Sequence, residues 1–86
     1  MYFNYKINNL VTIVKVQREL IKETWYDIPY PANFTAENSI VIPIMIGSTN
    51  RNYYILKLNF EKTKYSVANI INNSSDFAFD FIFIRQ

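Results

Sequence analysis

The chain has no cysteine and no histidine. Without cysteine there is no disulfide and no thiolate metal site, and the redox compartment is left open. Without histidine, the commonest metal ligand and the commonest general base are both missing. Glycine occurs once, at Gly47, and proline three times. A single glycine cannot build a glycine-rich phosphate loop. Asparagine takes over the turn positions, at Asn8-Asn9, Asn50, Asn52 and Asn72-Asn73, because it tolerates left-handed backbone better than other residues with a side chain. Charge is also scarce. The formal net charge is +2, unlike the strongly basic footprint of a dedicated nucleic-acid binder.

Apolar matter is plentiful. Half of the 86 residues are hydrophobic and 17% are aromatic, which excludes an intrinsically disordered chain. A chain of this length forms one domain and buries roughly 60% of its unfolded surface. Phe, Tyr, Met, Ile, Asn and Lys make up more than half of it. Their codons are AT-rich, as in low-GC bacteria, their phages and some archaeal viruses. The N-terminal residues lack the pattern of a secretory signal, and no apolar run approaches the ~20 residues of a membrane-spanning helix. A cytoplasmic or virion-associated location is therefore the expectation.

Residue alternation gives the fold class. Phe77, Phe79, Phe81 and Phe83 recur with period two, which puts all four on one face of one strand. Ile82 and Ile84 occupy the other face. Residues 40–46 (Ile-Val-Ile-Pro-Ile-Met-Ile) are likewise apolar on both faces. Pro43 cannot donate to a ladder, so this strand is an edge or carries a bulge. Other strands are expected at 2–7, 10–17, 20–28, 53–60 and 77–85, with turns at Asn8-Asn9 and Arg18-Glu19. Residues 47–52 read as a hairpin loop returning into 53–60, and 29–38, with two prolines, as a long connection. Two segments are ambiguous. The apolar residues of 10–28 (Leu10, Ile13, Val14, Gln17, Leu20, Ile21, Trp25, Ile28) also fit a helical stripe, although the β-branched residues among them favour strands. Residues 63–72 read as a short helix or a further strand. The sum is a mainly β, antiparallel sandwich or small barrel of five to six strands.

Function classes follow from what the strands demand. A two-layer sandwich buries one face of each strand and wets the other. Strands apolar on both faces need something more to cover them, and that points to a protein partner, with copies of the same chain first. The expected contact residues are Trp25, Tyr26, Tyr30, Tyr53, Ile55, Ile82 and Ile84, with Val41 and Met45 or their neighbours facing outward. Trp and Tyr are typical interface anchors, though a place in the domain's own core accounts for Trp25 equally well. Asp80 is expected as a gatekeeper on the outer face. Strand addition at an open 40–46 or 77–85 edge is a second route to burial.

Two other classes compete. Lys57, Lys62, Lys64 and Tyr65 interleave charge with aromatic rings, as a single-strand-binding barrel does, while lysines that blunt a sheet edge account for the same pattern. A small inhibitor blocking a larger enzyme is the third. Catalysis lacks a motif: no serine lies in a nucleophile elbow, and the seven carboxylates read as surface charge. The expectation is a non-enzymatic protein–protein interaction module of viral structural type, with no cofactor, metal or catalytic residue.

Overall fold

The computed structural model describes residues 2–6, 9–48, 55–59, 63–68, 70 and 72–86. Seven strands follow in chain order: β1 (Tyr2–Lys6), β2 (Val11–Ile21), β3 (Tyr26–Asp27), β4 (Ser39–Ser48), β5 (Ile55–Asn59), β6 (Lys64–Ala68) and β7 (Ser74–Arg85). They form two antiparallel sheets, of order β1-β2-β7-β4 and β3-β6-β5. The mainly β, antiparallel sandwich predicted from alternation is therefore what forms, and neither sheet closes into a barrel. No helix occurs among the described residues. Residues 64–68 are a strand, and so is most of 10–28.

The phenylalanine stripe sets the layering. β7 lies between β2 and β4, and Phe77, Phe79, Phe81 and Phe83 are all 3% exposed or less. The register places Val14 and Val16 of β2 opposite Phe81 and Phe79, and Val41 and Met45 of β4 opposite Phe83 and Phe79. All these side chains therefore share the inner face. The second sheet covers that face. Tyr65 of β6 lies edge-on to Phe79 and Phe81, at centroid distances of 5.6 and 5.3 Å, and stacks on Tyr26 at 5.6 Å. Val67, with Leu56 and Leu58 of β5, completes the layer.

Several local expectations are corrected. The turn expected at Arg18-Glu19 is not there; β2 runs on to Ile21 because β7 continues to Ser74 and pairs with it throughout. The chain turns instead at Lys22-Glu23. Glu23 has φ 57°, and the Lys22 and Glu23 amides donate to the Asn73 and Val67 carbonyls, both at 2.7 Å. The strand expected over 20–28 is thus split between β2 and the two-residue β3. β4 extends through Gly47 and Ser48, and residues 49–52 lie outside the described residues. β4 and β5 are no hairpin: β4 pairs with β7 and β5 with β6, so the chain crosses from one sheet to the other between them. The 77–85 segment is no edge either, since β7 has a neighbour on each side.

Pro43 does mark an edge strand, and the ladder shows why it fits. The Gln86 amide donates to Asn38 (2.8 Å) and the Arg85 amide to Leu10 (2.7 Å). By alternation, residues 40, 42 and 44 turn their backbone groups toward β7, while 39, 41, 43 and 45 turn theirs to the open side. Pro43 therefore costs the ladder no bond. The register shift lies two residues on, between Met45 and Gly47.

The 29–38 connection is built from turns. Phe34 donates to the Pro31 carbonyl (3.1 Å) across Ala32 and Asn33, and Asn33 has φ 70°, the requirement of a type II turn. Thr35 and Asn38 exchange side chain–backbone bonds of 2.8 and 3.1 Å. The loop seats Phe34 and Tyr30 against Phe83, at 6.2 and 5.2 Å between ring centroids.

Phe81, wholly buried beneath Tyr65, is the most demanding position. Phe81→Ala is expected to cost about 3–5 kcal/mol, a large share of the ~5–15 kcal/mol typical of a domain. Urea denaturation followed by tyrosine fluorescence checks it.

Candidate protein-contact surface

The outer face of the four-stranded sheet carries the residues that the core does not use. Register aligns them in rows across β2, β7 and β4: Val11–Ile84–Ile40, then Ile13–Ile82–Ile42, then Lys15–Asp80–Ile44. Ile40, Ile42, Ile44 and Ile46 are 44, 42, 44 and 62% exposed, while Val11, Ile13, Ile82 and Ile84 are half-buried. Two rows of aliphatic side chains thus face outward side by side. Single exposed isoleucines are ordinary, whereas a contiguous apolar set is a candidate contact surface.

The charged row is internally matched. Lys15 Nζ donates to both carboxylate oxygens of Asp80, at 3.3 and 3.4 Å. Beyond it, Ala78 leaves a depression of ≈ 240 Å³ walled by Lys15, Gln17, Ile46 and Asp80. Farther along β2 and β7 the face turns acidic: Glu19 sits opposite Asp76, and the Ser74 hydroxyl donates to Glu19 at 2.9 Å.

The residues expected to form one contact site are divided among three places. Ile82 and Ile84 are on the face just described. Ile55, 42% exposed, is on the outside of the other sheet, alternating with the inward Leu56 and Leu58. Trp25 is also outside, 46% exposed, so the core reading of Trp25 fails. Lys57 Nζ lies 5.6 Å from its ring centroid. Tyr26 is structural: it stacks on Tyr65, carries the Arg18 guanidinium 4.3 Å above its ring, and its hydroxyl accepts the Ile21 amide at 2.8 Å. Tyr30 packs on Phe83. Tyr53 lies outside the described residues. Val41 and Met45 point inward, and their neighbours 40, 42, 44 and 46 face out.

The lysine–aromatic set is not assembled into a stacking platform. Tyr65 is fully buried. Lys64 pairs with Asp27, and Lys57 with Glu23 at 3.8 Å. Lys62 lies outside the described residues. A separate cleft of ≈ 390 Å³, lined by Asn4, Asn9, Thr12, Pro31 and Arg85 among others, opens at the far end of the inner face. Its one cation among the described residues is engaged with the wall: Arg85 Nη1 donates to the Asn33 carbonyl (3.4 Å), and the guanidinium stands 5.9 Å from the Phe34 ring.

Sequence reasoning missed Val11, Ile13 and Lys15 as part of this surface and left open which parity of 40–46 faces out. A signal for part of it was present. Residues 15, 17 and 19 (Lys, Gln, Glu) share the parity of Val11 and Ile13, and a polar parity is an outward one. No such signal exists within 40–46, where both parities are apolar.

The Tyr30 hydroxyl is buried without a hydrogen-bond partner among the described residues. Burial, followed by the charge of Glu37, raises its pKa above the ordinary tyrosine value. A raised folded-state pKa gives stability that is fully present below the unfolded value of ~10 and is lost as pH rises through the folded value. Tyr30→Phe removes an unsatisfied group, so it is expected to be neutral or stabilising by up to about 1 kcal/mol. It should also lose less stability than wild type above pH ~10, as thermal melts between neutral and alkaline pH will show.

No protein-family model, no curated protein and no solved structure matches this chain.

Proposed function

We propose that this protein is a non-enzymatic protein–protein interaction module, a subunit that self-assembles or docks into a larger assembly through the outer face of its four-stranded sheet. One observation carries the reading: the rows Val11–Ile84–Ile40 and Ile13–Ile82–Ile42 lie side by side on the outer face, with Ile40 and Ile42 44 and 42% exposed. Burying apolar area contributes about 25 cal/mol per Å², so a surface of this kind gains more from a protein than from solvent. The bias toward amino acids with AT-rich codons agrees with a phage or viral structural subunit. A small inhibitor of a larger enzyme would use the same face, but its usual device, a strong net charge that steers association, is weak in a chain of charge +2.

The test is a photo-crosslinking amino acid placed at Ile42, with one at Ala32 as control, in the cell that makes the protein. Protein adducts at position 42, and few or none at position 32, are the expected outcome. Adducts to nucleic acid, or none above the control, would sink the reading.

A further inference from the structure

We infer that the cleft at the far end of the inner face is a binding site for a sugar ring, held through its hydroxyl groups. The inference does not depend on what covers the outer face.

The first argument is a break in the pattern. The inner faces of the long strands are apolar over most of their length, with Val14, Val16 and Leu20 in β2 and the four phenylalanines in β7. At one end three neighbouring strands depart from this. The inner-face residue is Asn4 in β1, opposite Val14; Thr12 in β2, opposite Phe83; and Arg85 in β7, two residues beyond Phe83. Departures from a fold's own pattern are expected where function imposes them. Contact with solvent at a strand end accounts for polar residues that are exposed. It does not account for Thr12, which is 5% exposed. Its hydroxyl has no hydrogen bond to another described residue. Leaving a hydroxyl unpaired at that depth costs stability, and the cleft that Thr12 lines is where a partner atom can reach it.

The second argument is the chemistry of the lining. Asn9 and Asn33 join Asn4 around the same cleft, and none of the three carboxamides is hydrogen-bonded to another described residue. A carboxamide brings two donors and an acceptor without charge, and a hydroxyl both donates and accepts. Each sugar hydroxyl asks for that combination. Pro31 and Ala32 supply an apolar wall for the C–H side of a ring. The volume, ≈ 390 Å³, falls within the ~300–1,000 Å³ of small-ligand sites. Asn33 is also held in advance: its carbonyl accepts from Asn38 Nδ2 at 3.1 Å and from Arg85 Nη1 at 3.4 Å, which lowers the ordering cost of binding.

Other ligands fit this lining less well. No carboxylate is among the described lining residues, so a divalent cation lacks the charged oxygens it favours. A phosphate would meet a single guanidinium, where phosphate recognition gathers several cations. A nucleobase calls for an open aromatic face, but Phe34 is 8% exposed and its ring is turned to Phe83 and Arg85. A peptide adding as a strand needs unpaired backbone groups, and β2, in the floor, is paired on both sides.

The test is NMR titration of isotope-labelled protein with the methyl glycosides of glucose, galactose, mannose and N-acetylglucosamine. Inorganic phosphate and adenosine monophosphate represent the competing classes. One glycoside should shift the side-chain NH₂ signals of Asn4, Asn9 and Asn33 saturably, with a Kd on the order of millimolar. Thr12→Val keeps the shape of the buried side chain and removes its hydroxyl. It should weaken binding roughly 3- to 10-fold, as should Asn4→Ala. Ile42→Lys, on the outer face, should bind as wild type does, and the backbone spectrum shows whether each variant is folded. An oligosaccharide ending in the same sugar separates the sources: a glycan site accepts it, and a site for the free sugar excludes it.

The absence of a saturable shift with every glycoside overturns the inference. So does binding that folded Thr12→Val and Asn4→Ala leave unchanged. Tighter binding of phosphate or adenosine monophosphate than of any glycoside overturns the assignment to a sugar. None of these results touches the interaction reading, which stands or falls with the crosslinks at position 42.

Discussion

The packing of Phe77, Phe79, Phe81 and Phe83 against Tyr65 and its neighbours is the constraint on which the rest depends. The rings run as a continuous series, with Phe79–Phe81 and Phe81–Phe83 centroids 5.1 and 6.1 Å apart and Tyr65 over the first pair. To bury four phenylalanines, β7 must be central, with a strand on each side and a layer above. β2 and β4 supply the sides and β6 the layer. Burying that much aromatic surface supplies the driving force. It also uses the one covering layer that the described residues supply.

The unequal sizes of the sheets make the consequence concrete. β2, β4 and β7 hold 11, 10 and 12 residues, whereas β3, β5 and β6 hold 2, 5 and 5. The smaller sheet can cover one face of the larger and no more. On the other face Ile40, Ile42, Ile44 and Ile46 therefore stay 42 to 62% exposed. Solubility could have been secured by lysine or glutamate at positions 40, 42 and 44. The sequence places isoleucine at all three, and β-branched residues stabilise a strand whichever way they point. The price is a face that is stable in place and unsatisfied in water.

How much of this was legible before folding depends on whether a signal was local. The phenylalanine face, the edge status of the Pro43 strand and the burial conflict were all readable, because period two and the missing N–H are properties of single segments. The partner of each strand was not. Nothing in residues 47–60 says that β5 leaves for the other sheet, since a strand pairs equally well with any compatible neighbour until tertiary packing chooses. The turn was misplaced at Arg18-Glu19 because both residues are polar; in the fold they alternate, Arg18 over the Tyr26 ring and Glu19 outward. In 40–46 both faces are apolar, so only the register against the phenylalanines decides that Val41 and Met45 go in and the isoleucines out. Trp25 carried the interface expectation by residue type, but it stands on the opposite side of the sandwich from Ile82 and Ile84.

That separation makes the two outer faces unlike. The outside of the smaller sheet carries Lys57–Glu23 and Lys64–Asp27 ion pairs, with Lys57 also near Trp25. Such exposed pairs add little stability, yet they interrupt Trp25 and Ile55 with solvated charge. The outside of the larger sheet has its charged row beside the aliphatic rows, not among them. The larger sheet thus has an aliphatic outer face and the smaller sheet an outer face broken by charge. The difference in sheet size that leaves the β4 isoleucines exposed is therefore also what confines the aliphatic rows to one side of the molecule.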